Sequence, residues 1–387
     1  MNSIDSLPIT LVATCKFGLE TLVKNEVKAL GFDDLVVSPG RIELAATIAD
    51  IPRLNLWLRC ADRVRLKMAE FEAVSFESLF EQTKALPWED WILPDGRFPV
   101  TAKTVKSKLQ SGRTCQSIVK KAIVERLKTH YQNEWFPETG PEFTIQVALH
   151  KDVALLTIDT SGVGLHKRGY RAEAGEAPLK ETLAAALVML SFWRKDRLLI
   201  DPLCGSGTIL IEAAQLARNI APGLDRRFAA EEWTAVPTQT WQEARQAAQS
   251  AINPADKLQL FGYDNDAATI QIARQNADKA GVGADIVFTH KDVRDLWIDQ
   301  QYGILISNPP YGLRLAEFQE VNQIYIALNK MFRKKRGWSV YILTADKQFP
   351  SYFKRAKLDR VRKLYNGNIQ VNYYQYYGEK PPVIRVP

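Results

Sequence analysis

Apolar positions run along this chain in two rhythms, and the way they alternate changes near the middle. From Leu11 to about Leu66 the pattern predicts strand, helix, strand and helix, over TLVATC, FGLETLVKNEVKALG, RIELAAT and IADIPRLNLWLRCADR. In the first helix Leu19, Leu22, Val23, Val27 and Leu30 recur at helical spacing, and Gly31 suits its end. A second unit, about 67–165, predicts a helix near Phe76 to Ala85, a strand at FPVTAKTV, a basic helix from Cys115 to Tyr131, and the strands FTIQVALH and VALLTIDT. Leu165 to Ala177 reads as a linker, followed by a lead-in helix from Leu179 to Leu190. Strands then alternate with helices: RLLID and a helix from Gly207 to Ala217; KLQLFGYD and a helix from Ala267 to Ala280; ADIVFTH; GILISN and a helix from Phe318 to Arg333; WSVYILTA. That alternation predicts a doubly wound, mostly parallel α/β sheet. A helical insertion, about Arg218 to Asp256, interrupts it. Runs around Arg360 to Tyr365 and Ile369 to Tyr377 suit an antiparallel hairpin at the sheet's edge.

The 387 residues, 46% of them apolar, are enough for two or three domains with substantial cores. No stretch approaches the roughly 18 apolar residues of a membrane span, and MNSIDSLPIT has neither a basic n-region nor an apolar h-region. A cytoplasmic protein is expected. Cys15, Cys60, Cys115 and Cys204 form no C-x-x-C pair and the four histidines lack ligand spacing, so neither a disulfide framework nor a metal centre is expected. The net charge of +7 is unevenly spread. Residues 1–163 hold 20 Lys+Arg against 21 Asp+Glu, yet within them 97–128 carry nine basic residues and one acid, Glu125. A second stretch, 333–363, sets eleven basic residues against Asp346 and Asp359. Either patch alone reads as a solvated helix face. Two in separate regions point to a phosphate backbone, because neutralised phosphates release counterions.

The first strand of the alternating half ends in DPLCGSGT, residues 201–208. Gly205 and Gly207 let a ligand approach the backbone, though a structural turn uses the same residues. A nicotinamide site wants a third glycine where Leu210 stands and an acid about 20 residues on. A P-loop wants Gly-Lys-Ser/Thr, which is absent. Asp201 would repel a pyrophosphate and suits a ligand bearing ammonium or sulfonium. Acids end three consecutive strands: Asp201, Asp264 in GYDND and Asp292 in HKDV. Carboxylates accept hydrogen bonds, so Asp264 suits a ribose diol and Asp292 an adenine amino group. Each alone reads sooner as a helix cap, and it is their order with the glycine loop and the following NPPY that turns the reading towards a ligand.

The fourth strand leaves through ISNPPYGLR, residues 306–314. Proline cannot donate to a ladder, so the strand stops there, and the rigid Pro309–Pro310 pair holds Asn308 and Tyr311 at its C-terminal edge. Ligands of open parallel sheets bind at that edge. Cys204 has no nearby histidine and reads as a small loop residue rather than a nucleophile. Tyr373, Tyr374, Tyr376 and Tyr377 read as packing on a terminal strand.

The ordered set DPLCGSGT, GYDND, HKDV and NPPYG, over about 165–387, resembles the class I S-adenosylmethionine-dependent methyltransferases, in particular the group that methylates exocyclic amines of nucleobases. FPVTAKTVKSKLQSGRTCQSIVKKAI and FTIQVALHKDVALLTIDTSG resemble a THUMP RNA-binding domain, preceded by a ferredoxin-like region. The resemblance implies a ferredoxin-like region over 1–66, a THUMP domain over 67–164 and a Rossmann-like methyltransferase domain over 165–387. The order of the halves, joined by KRGYRAEAGEAPLKETLAAAL, is similar to bacterial enzymes that methylate the 2-amino group of a guanine in 23S rRNA. Some of those carry a second methyltransferase domain, for which this chain is too short.

That resemblance implies S-adenosylmethionine held by Asp201, Pro202, Cys204, Gly205, Gly207 and Thr208 of the loop, by Asp264 and Asn265, by Asp292 and Val293, and by Asn308. It implies RNA docked on Lys103, Lys106, Lys108, Arg113, Lys120 and Lys121. It places catalysis on Asn308, Pro309, Pro310 and Tyr311. Asn308 and the Pro309 carbonyl would accept the hydrogens of the target amine, while the Tyr311 ring stacks on a flipped base, its hydroxyl dispensable. A tRNA guanine methyltransferase is the near alternative. A DNA adenine methyltransferase or an inactive RNA-binding module stands further off.

Overall fold

The computed structural model describes residues 8–171, 179–253, 257–311, 315–355 and 357–382. They divide into two compact units: Met1–Cys15, Val23–Leu165 and Gly223–Ala248 in the first, Lys16–Leu22, His166–Pro222 and Gln249–Pro387 in the second.

The first unit is built on β1 (Pro8–Thr14), α1 (Glu20–Ala29), β2 (Leu35–Ser38), β3 (Arg41–Thr47), α2 (Asp50–Trp57), β4 (Arg63–Glu72), α3 (Phe76–Lys84), β5 (Val100–Val105), α4 (Gly112–Tyr131), β6 (Ile145–His150) and β7 (Val153–Asp159). All seven strands form one sheet in the order β2-β3-β1-β4-β7-β6-β5. β4 joins its halves by pairing antiparallel with both β1 and β7. The expected boundary at residues 66 and 67 therefore falls inside a continuous strand. The second helix was also expected to run through Arg63, but it ends at Trp57. Leu58 turns to an extended conformation, and the Glu26 carboxylate takes the next two backbone N–H groups, from Arg59 at 2.8 Å and Cys60 at 3.0 Å. These two N–H groups, just past the helix, find a partner some thirty residues away, which periodicity cannot show.

The second unit contains α5 (Glu181–Met189), β8 (Leu199–Asp201), α6 (Thr208–Ala217) and, across the insertion that includes α7 (Thr238–Ser250), β9 (Leu260–Asp264), α8 (Ala267–Lys279), β10 (Ile286–His290), β11 (Tyr302–Ser307), α9 (Leu315–Phe332), β12 (Gly337–Thr344), α10 (Phe349–Tyr352), β13 (Arg360–Asn366) and β14 (Ile369–Tyr376). The sheet order is β10-β9-β8-β11-β12-β14-β13. β8 to β12 run parallel, and β14 and β13 close the edge as an antiparallel hairpin. This is a doubly wound, Rossmann-like sheet whose order reverses between β8 and β11, the position where such sheets bind ligands. Leu328, Phe332 and Phe349 are fully buried against Trp338, Val340 and Ile342 of β12, each contributing about 1.5–3 kcal/mol through burial.

Most of the expected insertion does not belong to the unit that surrounds it in sequence. Residues Gly223–Ala248 fall in the first unit. There the Trp233 ring stacks on Phe143 at 4.9 Å and its Nε1 donates to the Glu142 carbonyl at 3.0 Å. The lead-in linker lies partly outside the described residues, as does the end of the insertion. Among the described residues no helix is long and apolar enough to cross a membrane.

Candidate active site

β8 ends at Asp201, which is 2% exposed. Its Oδ1 accepts from the Ser307 hydroxyl at 2.6 Å and from the Leu203 N–H at 3.2 Å. Burial pushes its pKa up to about 7 against these two hydrogen bonds, with Asp264 adding like-charge repulsion. The chain then turns through Cys204, whose N–H donates to the Tyr263 carbonyl at 2.8 Å, into α6. Gly207 caps α6 at a φ of +81°, and a Cβ there would lie 2.8 Å from the Phe288 ring. Only glycine fits both the angle and the space. At Gly205 a Cβ would meet nothing within 4 Å, so the loop faces open space. The buried Cys204 thiol is pushed well up by desolvation and by Asp201 and Asp264, which leaves it protonated and a poor nucleophile.

Asp264 ends β9 and accepts the Gly205 N–H at 3.0 Å through Oδ2 and the Asp266 N–H at 3.1 Å through Oδ1. Burial raises its pKa. The capping role belongs to Asp266 instead, which accepts from the Ala268 N–H at 2.9 Å and the Thr269 hydroxyl at 2.7 Å. Asp264 is thereby left at the mouth of the loop, braced by backbone. Asn265 is exposed, and its carbonyl meets His290 Nε2 at 3.0 Å.

Asp292 is different. It caps the short helical turn Val293–Asp295 by accepting the Arg294 N–H at 2.8 Å, and the Arg294 guanidinium grips both of its oxygens. That pairing lowers its pKa. A carboxylate offers about four acceptor positions and three are taken, so Asp292 has little left for an adenine amino group. Val293 and Pro202 are buried, Val293 at 3% exposure within the hydrophobic core. Thr208 opens α6, and its Oγ1 receives Arg171 Nη2 at 2.6 Å, bringing one cation to an otherwise acidic loop. Arg171 Nε has no partner among the described atoms.

β11 delivers Ser307, Asn308 and Pro309 beside β8, with Leu305 paired to Ile200. Pro309 is buried and Pro310 exposed, while Asn308 and Tyr311 are half-buried. The Tyr311 hydroxyl donates to Asn308 Oδ1 at 2.8 Å and accepts from Asn366 Nδ2 at 3.3 Å. Burial pushes the Tyr311 phenol up to about 12. The hydroxyl expected to be dispensable therefore holds the very oxygen expected to accept the target amine. Ser307, Asp266, Arg171, Arg294 and Asn366 were not singled out from the sequence. Ser307, Asp266 and Arg171 lay within the quoted stretches ISNPPYGLR, GYDND and KRGYRAEAGEAPLKETLAAAL, whereas Arg294 and Asn366 lay in none. The tyrosines at 373, 374 and 376 are buried in the sheet, as packing residues should be.

In the first unit Lys103, Lys106, Lys108, Arg113 and Lys121 are exposed around β5 and α4, and none has an ion-pair partner among the described residues. Lys120 departs from the expectation. Its Nζ lies 3.4 Å from the centre of the Phe98 ring, 3.0 Å from the Phe98 carbonyl and 2.6 Å from Glu138 Oε1. It is a structural cation. Among the described residues there is no cluster of three or more His, Cys, Asp or Glu side chains that could hold a metal.

Residues 168–375 match the RMKL-like methyltransferase domain, 10–65 the RlmL ferredoxin-like domain and 73–159 the THUMP domain. YpsC of Bacillus subtilis (strain 168), an RNA methyltransferase by designation, is 45% identical over 96% of this chain and 97% of its own. The ribosomal RNA large subunit methyltransferase K/L of Syntrophotalea carbinolica is 33% identical over 94% of this chain, which spans only 53% of that relative. A protein of Listeria monocytogenes, designated by prediction an N6-adenine-specific DNA methylase, superposes with a TM-score of 0.92 at 46% identity, covering 97% of this chain and 98% of that one. SMU.472, a methyltransferase by designation and solved with SAH, superposes with a TM-score of 0.90 at 42% identity, covering 97% and 99%. With ferredoxin-like, THUMP and methyltransferase domains in that order, the chain belongs to the RMKL-like family of S-adenosylmethionine-dependent RNA methyltransferases.

Proposed function

We propose that this protein transfers a methyl group from S-adenosylmethionine to the exocyclic 2-amino group of a guanine in 23S rRNA, in the cytoplasm, with the base flipped out against Asn308, Pro309, Pro310 and Tyr311. The observation that carries this reading is the position of Asn308 and Pro309 at the C-terminal end of β11, directly across the sheet reversal from the acid-ended β8. The large-subunit designation of the Syntrophotalea relative favours rRNA over tRNA. The THUMP match disfavours DNA, whatever the Listeria protein's designation.

When bound, S-adenosylmethionine supplies a methyl group on a positively charged sulfur. The acidic loop suits that charge and the ligand's ammonium, with Asp201 beneath the loop and Asp264 at its mouth facing the ribose hydroxyls. Arg171 suits the ligand's carboxylate. An aromatic amine is a poor nucleophile because its lone pair is delocalised into the ring. Asn308 Oδ1 and the Pro309 carbonyl accept its two hydrogens and keep the nitrogen in line, so positioning and electrostatics supply the acceleration. Unstacking the base costs a few kcal/mol, which the Tyr311 ring offsets in part by stacking. The exposed cations around β5 and α4 hold phosphates.

The test is incubation of the purified protein and S-adenosylmethionine with 23S rRNA fragments, tRNA and duplex DNA, followed by mass mapping of modified nucleosides. N2-methylguanine in the rRNA fragments alone is the expected result. Methylguanine confined to tRNA, or N6-methyladenine in DNA, would replace this substrate with that one.

A further inference from the structure

Two amides and a phenol form a chain at the clamp, and its hydrogens can run in only one direction. Asn366 Nδ2 has protons to give and none to receive, so at 3.3 Å the Tyr311 oxygen is the acceptor. The single phenolic proton then goes to Asn308 Oδ1, 2.8 Å away. Asn366 is the last residue of β13, and it pairs with Ile369 across the two-residue turn Gly367–Asn368. The edge hairpin therefore fixes where that donor stands. It is 55 residues from Tyr311 in sequence.

We infer that Asn366 is a positioning residue for methyl transfer: by donating to the Tyr311 hydroxyl it commits the phenolic proton to Asn308 Oδ1, and so locks the Asn308 amide with its oxygen towards the target amine. This rests on the proposed role of Asn308 as an amine acceptor. A carboxamide oxygen accepts two hydrogen bonds. Tyr311 takes one position on Asn308 Oδ1 and the amine takes the other. Were the Asn308 amide to turn over, its NH2 would face the hydrogens of the amine and repel them. The relay stays neutral because burial keeps the phenol protonated throughout the working pH range. Tyr325 of α9 feels the charge state of Tyr311 and is itself held protonated by burial.

Substitution at 366 tests the direction of the relay. In Asn366→Asp an ionised carboxylate would take the phenolic proton for itself and leave Asn308 Oδ1 without its donor. A protonated carboxyl could again donate to the phenol oxygen. Single-turnover methylation, measured against pH on whichever nucleic acid the wild type methylates, should therefore fall about tenfold below wild type where the new carboxylate is ionised. The deficit should shrink as pH falls through its pKa. Asn366→Leu and Tyr311→Phe should show a similar deficit at every pH, while S-adenosylmethionine affinity and the melting temperature stay near wild type. Tyr311→Phe leaves the hairpin untouched and tests the shared link should one variant at 366 fail to fold, the other then testing Asn366 itself. A wild-type rate in either Asn366→Asp or Tyr311→Phe, or a deficit in Asn366→Asp that ignores pH, would overturn the inference. A different methylated base in the wild type would revise the substrate without touching the relay, since the comparison is with the wild type's own rate.

Discussion

The two edges that meet at the sheet reversal are held by different means. On the β8-β9-β10 side each carboxylate has a brace within two residues, Asp201 from Leu203, Asp264 from Asp266 and Asp292 from Arg294, while Ser307 and Gly205 add distant ones to the first two. On the β11–β14 side a neutral relay crosses from Asn308 through Tyr311 to Asn366 on the terminal hairpin. The first edge carries acids, proposed to meet a charged ligand, and owes its shape to turns and caps together with the Ser307 and Gly205 contacts. The second carries no charge and owes its shape to tertiary contacts. Changes at the first edge should appear as cofactor affinity, and changes at the second as rate.

The largest expected effect is at the uncharged edge. Asn308→Ala removes the acceptor proposed to align the target amine in the transition state. Its cost should be comparable with the loss of an oxyanion-hole donor, about 10²–10³ in the single-turnover rate. Binding of S-adenosylmethionine and RNA, followed by calorimetry and filter binding, should change little. A wild-type rate would reduce the Pro309–Pro310 turn to a rigid loop and dissolve the contrast between the edges.

Next comes the charged edge. Asp264→Ala deletes a carboxylate that braces the Gly205 N–H and faces the site. The loss of a charged hydrogen bond, about 1.5–3 kcal/mol, should weaken S-adenosylmethionine by roughly ten- to 150-fold. The transfer rate at saturating cofactor should be kept. Asp292→Ala should cost less, because Arg294 already occupies most of that carboxylate. Equal losses at the two positions would mean that Arg294 moves aside for the ligand.

The same division explains what could be read from the sequence. The loop, the acid-ended strands and the Asn308–Tyr311 turn are written in short stretches, because glycine, proline and capping chemistry act within a few residues. The alternation of strands and helices likewise announced the parallel sheet, and the terminal hairpin followed from its two apolar runs. What escaped was set by distant partners. Glu26 ends α2 early and so frees β4 to join two halves of one sheet. Phe143 draws the Trp233 segment into the first unit. Glu138 and Phe98 turn Lys120 from a phosphate contact into a structural one. Asn366 carried no local signal at all.

Phosphate contacts belong to neither edge, and their loss should leave both readouts alone. Replacing Lys106, Lys108 and Arg113 by Ala should lower RNA affinity and reduce the slope of log affinity against log salt by up to about 0.7 per contact on single-stranded RNA. Cofactor affinity and the rate at saturating RNA should be unchanged. Lys120→Ala should lower the melting temperature with little change in the salt slope, since its ammonium is committed to Glu138. A slope change at Lys120 as large as at its exposed neighbours would restore it to the RNA surface.

The smallest expected effect is a fraction of a proton at Asp201. Its pKa stands at about 7 in the folded protein without cofactor, against an ordinary 3.8. A raised carboxyl pKa stabilises the fold below the unfolded value. The folded chain keeps its proton between about pH 4 and 7 while the unfolded chain gives it up, so that stability is lost as pH rises through the folded pKa. Asp201→Asn keeps an oxygen to accept from Ser307 and Leu203, and it should gain stability relative to wild type as pH rises across this window, then level off. A ligand with ammonium and sulfonium charges favours the ionised form. Binding S-adenosylmethionine near pH 7 should therefore release a fraction of a proton from wild type and less from Asp201→Asn. The readout is the dependence of calorimetric binding enthalpy on the buffer's ionisation enthalpy. Equal dependence in wild type and Asp201→Asn would show that the charged edge meets its ligand through Asp264 alone, with Asp201 a neutral brace for Ser307.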